Sequence, residues 1–276
     1  MKKNELRGLQ CNRILIPESV ITNTKLQKYR VATLAYICTM TGVAYKINFS
    51  IKLIVNWLGK CDDRHITKNG CNTACGVKNC IESFKNSGIL SYSDNELKFA
   101  TLIEGQFDKE KYSEYYANER FAKIYIDELF SIINYQNSNN EEYIDNSILL
   151  LVFAYLRMRI PVKNNLAGAS ERPDAYDTNY NVIGNELGLS ERLISKSIKA
   201  LVQLGFLYEQ RRGKETYYLT DDKGNKITHR KEKTIIFCNT YKRIDKNGKT
   251  YLVAEGKDYY LKEANDKENE LNQKGM

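Results

Sequence analysis

The chain is poor in the residues that most catalytic centres need. Its 276 residues hold two histidines, His65 and His229, far apart in sequence. The His-hydrophobic-His metal site of a rolling-circle nuclease therefore cannot be assembled from it. There is no Gly-rich phosphate loop of the Walker type and no serine on a nucleophile elbow. The acidic pairs Asp62-Asp63 and Asp221-Asp222 fall in polar, loop-like stretches, where carboxylates serve as solvated turn residues. Neither catalysis nor a cofactor is expected. No stretch approaches eighteen uninterrupted apolar residues, which excludes a membrane-spanning helix. The opening MKKNELRGLQ has lysines but no apolar segment behind them, so it does not read as a secretory signal, and a cytoplasmic location is expected. Only three prolines occur, against heavy use of Asn, Lys, Ile and Tyr, a bias typical of AT-rich genomes.

Cysteine is present but unevenly spaced, at 11, 38, 61, 71, 75, 80 and 238. An odd, scattered set reads as free thiols. Cys38 lies in an apolar helical stretch and Cys238 in an apolar strand, where a thiol behaves as a small hydrophobe. Cys61, His65, Cys71, Cys75 and Cys80 are close enough to suggest zinc, which takes four ligands, usually paired two to four residues apart. The alternative is that these groups are unrelated, with Cys80 facing solvent or a turn. No metal is expected.

What the sequence does contain is a repeat. Residues 182–207 read VIGNELGLSERLISKSIKALVQLGFL, and residues 77–90, VKNCIESFKNSGIL, align on their second part without gaps at an offset of 117. Val77 falls on Ile194, Ile81 on Ile198, Phe84 on Leu201, Gly88 on Gly205 and Leu90 on Leu207. A shorter preceding helix repeats at an offset of 129, with Ile54 on Ile183, Leu58 on Leu187 and Gly59 on Gly188. The first copy thus has about twelve extra residues between its two helices. Leu193, Ile194, Ile198, Leu201 and Val202 mark one apolar face of a helix. Upstream, the run from Arg13 to Ile21 resembles that from Lys123 to Phe130, and each precedes an apolar helix, near 29–41 and 144–159. Strand, short helix, apolar helix, helix–turn–helix and strand therefore occur twice, a winged-helix pattern in tandem. The expected fold is mainly α with small β-wings (α+β).

The expected division is a first winged-helix domain over 1–104, a polar linker with some helix over 105–120 and a second winged-helix domain over 121–241. A hairpin around Asp245-Lys-Asn-Gly248 and a charged tail complete 242–276. Residues 161–179 read as a loop and 220–228 as a polar turn.

The total of 42 Lys+Arg against 34 Asp+Glu, a net +8, favours a polyanionic partner. Residues 190–234 hold 11 Lys+Arg and 6 Asp+Glu, so much of that excess sits in the second copy. Ser190 is placed to cap the second helix of its helix–turn–helix, and Thr73 takes the matching place in the first copy. Setting core positions aside leaves Arg192, Ser195, Lys196 and Lys199 on the outer face of the second copy. In the first copy the corresponding residues are Cys75, Lys78, Asn79 and Glu82. A hairpin over 207–219 is expected to carry Arg211, Arg212 and Lys214 at a tip turned by Gly213. The first copy's wing, 90–102, carries Asp94 and Glu96 instead. The second copy is thus the expected main reader of double-stranded DNA; in the first, Thr73, Lys78 and Asn79 are candidate DNA contacts, and that copy also suits homodimer formation or the binding of another protein, such as a replication protein.

With both copies in view, residues 11–240 resemble the tandem winged-helix initiators of plasmid and phage replication. They also resemble the N-terminal domains of replisome-organiser and primosome proteins of low-GC bacteria. The resemblance implies a DNA-binding replication initiation protein, with one winged helix for dimerisation and one for reading the site. A transcriptional or segregation regulator of the same architecture, or a winged-helix protein scaffold, is the alternative.

Overall fold

The computed structural model describes residues 13–59, 72–93, 97–136, 144–160, 176–211, 215–220, 226–231, 235–239, 242–244 and 250–252. The fold is α+β, helices with small antiparallel sheets. Two compact units divide it: Met1–Met158 with Glu186–Gly188, and Arg159–Asn185 with Leu189–Met276.

The first unit opens with β1 (Arg13–Pro17) and α1 (Glu18–Ile21), followed by α2 (Arg30–Met40) and β2 (Lys46–Phe49). Next come α3 (Ile51–Trp57), α4 (Asn72–Asn86), β3 (Leu90–Tyr92), β4 (Ile103–Phe107), α5 (Lys109–Asn118), β5 (Phe121–Tyr125), α6 (Ile126–Ile133) and α7 (Asn146–Arg159). β1 pairs antiparallel with β5, and Ile14 faces Ile124, the residue it aligns with in the repeat. A residue that faces its own equivalent lies on a local twofold axis, so the opening strands of the two copies meet about such an axis. This pairing draws β5, α6 and most of α7, the opening of the second copy, into the first unit. The helix expected within 105–120 is α5 at 109–118, while Gly105–Phe107, not foreseen as strand, completes β4.

Both apolar helices are buried nearly all round. Arg30 to Ile37 of α2, and Ser147 to Met158 of α7, are buried without a break. Each therefore has to satisfy a buried arginine. Arg157 donates to Glu128 at 3.1 Å, with both side chains almost fully enclosed, and the other oxygen of Glu128 accepts from the Tyr125 amide. Arg30 instead fans over carbonyl oxygens: Ile21 twice, Leu26, Gln27 and Leu187. Burial pulls its guanidinium down to about 10, while the carbonyl oxygens at the ends of short helices supply negative partial charge.

The second unit contains β6 (Tyr176–Thr178), most of α8 (Tyr180–Leu187), α9 (Glu191–Gln203), β7 (Leu207–Arg211), β8 (Glu215–Thr220), β9 (Lys226–Lys231), β10 (Ile235–Asn239), β11 (Lys242–Ile244) and β12 (Thr250–Leu252). β6 falls inside the expected loop 161–179; three residues are too few to show a strand period. β11 and β12 pair around 245–249, as the Asn-Gly signal predicts.

The two helix pairs sit in matching frames. Sheet β2-β4-β3 has the strand before the pair on one edge, the strand after it on the other and a later strand between them. Sheet β6-β10-β7 has the same order. Equivalent caps recur. Ser50 accepts from the Leu53 amide at 3.1 Å, and Asn179, at the same offset of 129, accepts from the Val182 amide at 2.9 Å. Gly59 and Gly188, ending the first helix of each pair, both have positive φ, at 67° and 70°. That conformation suits glycine because it has no Cβ.

Candidate nucleic-acid interface

The second helix of each pair is the place to compare outer faces. α9 starts at Ser190, whose hydroxyl accepts from the Leu193 amide at 3.4 Å. Its approach to α8 is close: the Leu189 amide donates to the Gly184 carbonyl at 2.9 Å. A Cβ on Gly184 would lie 2.6 Å from the Leu189 carbonyl oxygen. Glycine at that point lets the turn fold onto the helix.

Ile194, Ser197, Ile198, Ala200 and Leu201 form the buried face of α9. Val202, expected on it, is 39% exposed. At about 100° per residue Val202 falls just past Ile198, at the edge of the buried face, and the small Ser197 and Ala200 take close-packed positions on the other side of it. The outer side carries Arg192 and Lys199, both exposed, with Ser195 and Lys196 half-buried beside them. Three cations thus share the solvent side of one helix.

α4 repeats the interior but not the surface. Val77, Cys80, Ile81 and Phe84 are buried at the positions of Ile194, Ser197, Ile198 and Leu201. Asn79 is exposed and Lys78 half-buried. Lys78 lies 3.8 Å from Glu82 one turn on, and Lys85 stacks over the Tyr92 ring with its Nζ 4.0 Å from the centroid. Thr73 does not play the part of Ser190. It lies inside α4, which already includes Asn72, and it is buried, with its hydroxyl 3.0 Å from that of Tyr29. Tyr29 presses in because residue 76 is glycine: a Cβ there would lie 2.4 Å from the Tyr29 ring.

Cys80 does not face solvent. It is fully buried and its thiol is pushed up to about 12 by that burial. Cys75 is exposed; five positions apart on a helix, the two do not share a face. Cys61, His65 and Cys71 lie outside the described residues. Among the described residues, no group of three His, Cys, Asp or Glu side chains could hold a metal ion. No described helix is long and apolar enough to cross a membrane.

The hairpin expected over 207–219 is not formed. β7 pairs with β10, Arg211 facing Ile235, and β8 pairs with β9, Glu215 facing Lys231. Three residues separate these pairs on each arm, so the two ladders share one register. Gly213 and 221–225 lie outside the described residues; the pairing of β8 with β9 joins the strands on either side of 221–225. The apolar strand Ile-Ile-Phe-Cys-Asn, β10, takes the centre of the three-stranded sheet, a place that suits apolar, β-branched residues. Arg211 accordingly sits along an arm rather than at a tip; Arg212 and Lys214 lie outside the described residues, as do Asp94 and Glu96. The first copy's hairpin is short, with Leu90 facing Phe107 and Tyr92 facing Gly105.

No known family model matches the chain, and no curated protein matches it.

Proposed function

We propose that this chain is a double-stranded DNA-binding protein with two tandem winged helices, a plasmid or phage replication initiation protein that reads its site with α9. The observation that carries the reading is the solvent side of α9, where Arg192, Lys196 and Lys199 stand together on a helix capped by Ser190. A helix of this kind, second of a pair and followed by a strand, is the element that enters the major groove in winged helices. The strands that follow it pair as β7 with β10 and β8 with β9, and residues 207–239 hold 8 Lys+Arg against 5 Asp+Glu. In this reading Arg211, Arg212 and Lys214 meet phosphates, which position the protein without reading sequence. The first copy, whose α4 cations are engaged by Glu82 and Tyr92, serves self-association.

The test is selection of bound duplexes from a fragment library, followed by titration at several salt concentrations. With about four to six phosphates neutralised, log K falls against log salt with a slope of roughly −4 to −5. A salt-insensitive isotherm overturns the reading. Clustered direct repeats at an origin support initiation; an inverted repeat over a promoter makes the protein a regulator instead.

A further inference from the structure

Arg30, 2% exposed in α2, has every N–H engaged. Nε and Nη2 donate to the Ile21 carbonyl at 3.0 and 2.8 Å, and Nη1 donates to those of Leu26 and Gln27 at 2.9 and 3.3 Å. These four bonds stay close to the arginine along the chain. The fifth does not: Nη2 donates to the Leu187 carbonyl at 3.2 Å, across 157 residues. Leu187 is the last residue of α8, as Ile21 is of α1. The guanidinium therefore stands where two helices end, and the closing carbonyls of a helix have no donor within it. Leu187 is buried as well, so its carbonyl calls for a protein donor. Just beyond it Gly188 takes a φ of 70° against Thr24, whose methyl would lie 3.3 Å from a Cβ there. Arg30, Thr24, Leu187 and Gly188 all belong to the first unit. One residue further the Leu189 amide closes the turn on Gly184, and Ser190 caps α9.

We propose that Arg30 is a positioning residue for α9: through the Leu187 carbonyl it fixes the turn from which that helix starts. Buried as it is, Arg30 does not touch DNA, and it acts through the backbone alone. The effect on recognition rests on the reading of α9 as the groove-entering helix; the effect on the turn does not. Base edges are read by hydrogen bonds of fixed geometry, so a turn that opens blurs the reading. Phosphate contacts carry no sequence information, and a looser turn leaves them in place. An arginine fork suits this position better than any other cation. Four carbonyl oxygens surround it, whereas an ammonium has three hydrogens on one nitrogen. Of the four, Leu187, held from farthest along the chain, is the first that a lysine would give up.

Hydrogen–deuterium exchange of the full chain, followed by mass spectrometry, reports on the turn without DNA. In Arg30→Lys the peptides over 186–193 exchange about tenfold faster, the scale of one hydrogen bond from a charged group, while those of α4 keep wild-type rates. Arg30→Met, which removes every donor, gives the same pattern with a larger change. Ile37→Ala, two turns along α2 and fully buried, destabilises the same helix and serves as the control: it leaves the ratio of the two regions unchanged. Anisotropy on the selected duplex then shows a specific complex about tenfold weaker for Arg30→Lys and an unaltered complex with unrelated sequence. The proposal is overturned if Arg30→Lys leaves exchange over 186–193 unchanged, if Ile37→Ala alters the ratio as Arg30→Lys does, or if a loosened turn leaves the preference among duplexes intact. A turn that loosens in a protein with no preference among duplexes supports the hold of Arg30 on the turn and strikes at the role of α9 instead, so the two readings fail separately.

Discussion

α4 and α9 have the same interior and opposite surfaces. Val77, Cys80, Ile81 and Phe84 are buried at the places of Ile194, Ser197, Ile198 and Leu201, with the small Cys80 and Ser197 fully enclosed at matching positions. On the solvent side α9 sets Arg192, Lys196 and Lys199 together, while α4 neutralises Lys78 with Glu82 and parks Lys85 on Tyr92. Interior positions answer to packing, which tolerates little change in volume. Surface positions answer to whatever the helix meets, and there the two copies have parted.

If the copies share a frame, the largest effects must come from the interior. Glu128→Gln leaves Arg157 charged in a dry site, and the expected loss is about 3–5 kcal/mol of unfolding free energy. A loss below about 1 kcal/mol in denaturant titration would mean that the pair is more open to water than its geometry implies. Ile81→Ala and Ile198→Ala remove equivalent, fully buried side chains. Each should cost about 2–5 kcal/mol. A cost near zero for one of them alone would break the claim of a common interior.

The surface is where the copies should separate. Arg192→Ala or Lys196→Ala is expected to weaken the specific duplex by about 1–3 kcal/mol if either side chain reaches a base edge. Lys78→Ala and Asn79→Ala are expected to change it by less than about 0.5 kcal/mol. Greater damage from the α4 substitutions, in parallel binding titrations, would reverse the roles of the two helices. The smallest expected effect is that of Glu82→Gln. Its partner lies one turn away in solvent, so the pair contributes no more than about 0.5 kcal/mol to stability. A larger thermal shift would show that the first copy's surface holds more than an ordinary helix pair.

Much of the fold could be read from residue order. The repeat, the helices at both offsets, the cap at Ser190 and the turn glycines all rest on contacts within a few residues, where spacing alone carries the signal. Asn179 was legible in the same way, since it stands at Ser50 plus the repeat offset. The hairpin of the second copy was not. Gly213 and the Asp-Asp-Lys-Gly turn are both acceptable turns, and the choice between them depends on which strand the sheet accepts at its centre. Thr73 misled for a related reason: a threonine near a helix start suits a cap, but Gly76 admits Tyr29, and the tyrosine takes the hydroxyl.

Sequence alone determined that a pattern of helices and strands recurs, that Ile194, Ile198 and Leu201 turn inward and that the cations gather on the second copy, because periodicity and charge are local properties. The tertiary structure alone decided that β1 joins β5 across the two copies, that β7 takes β10 rather than β8, and that Arg30 is satisfied by carbonyl oxygens while Arg157 takes Glu128. Those outcomes are competitions among partners from different elements, and they are settled by which combination fills the core and leaves the fewest buried polar groups unpaired.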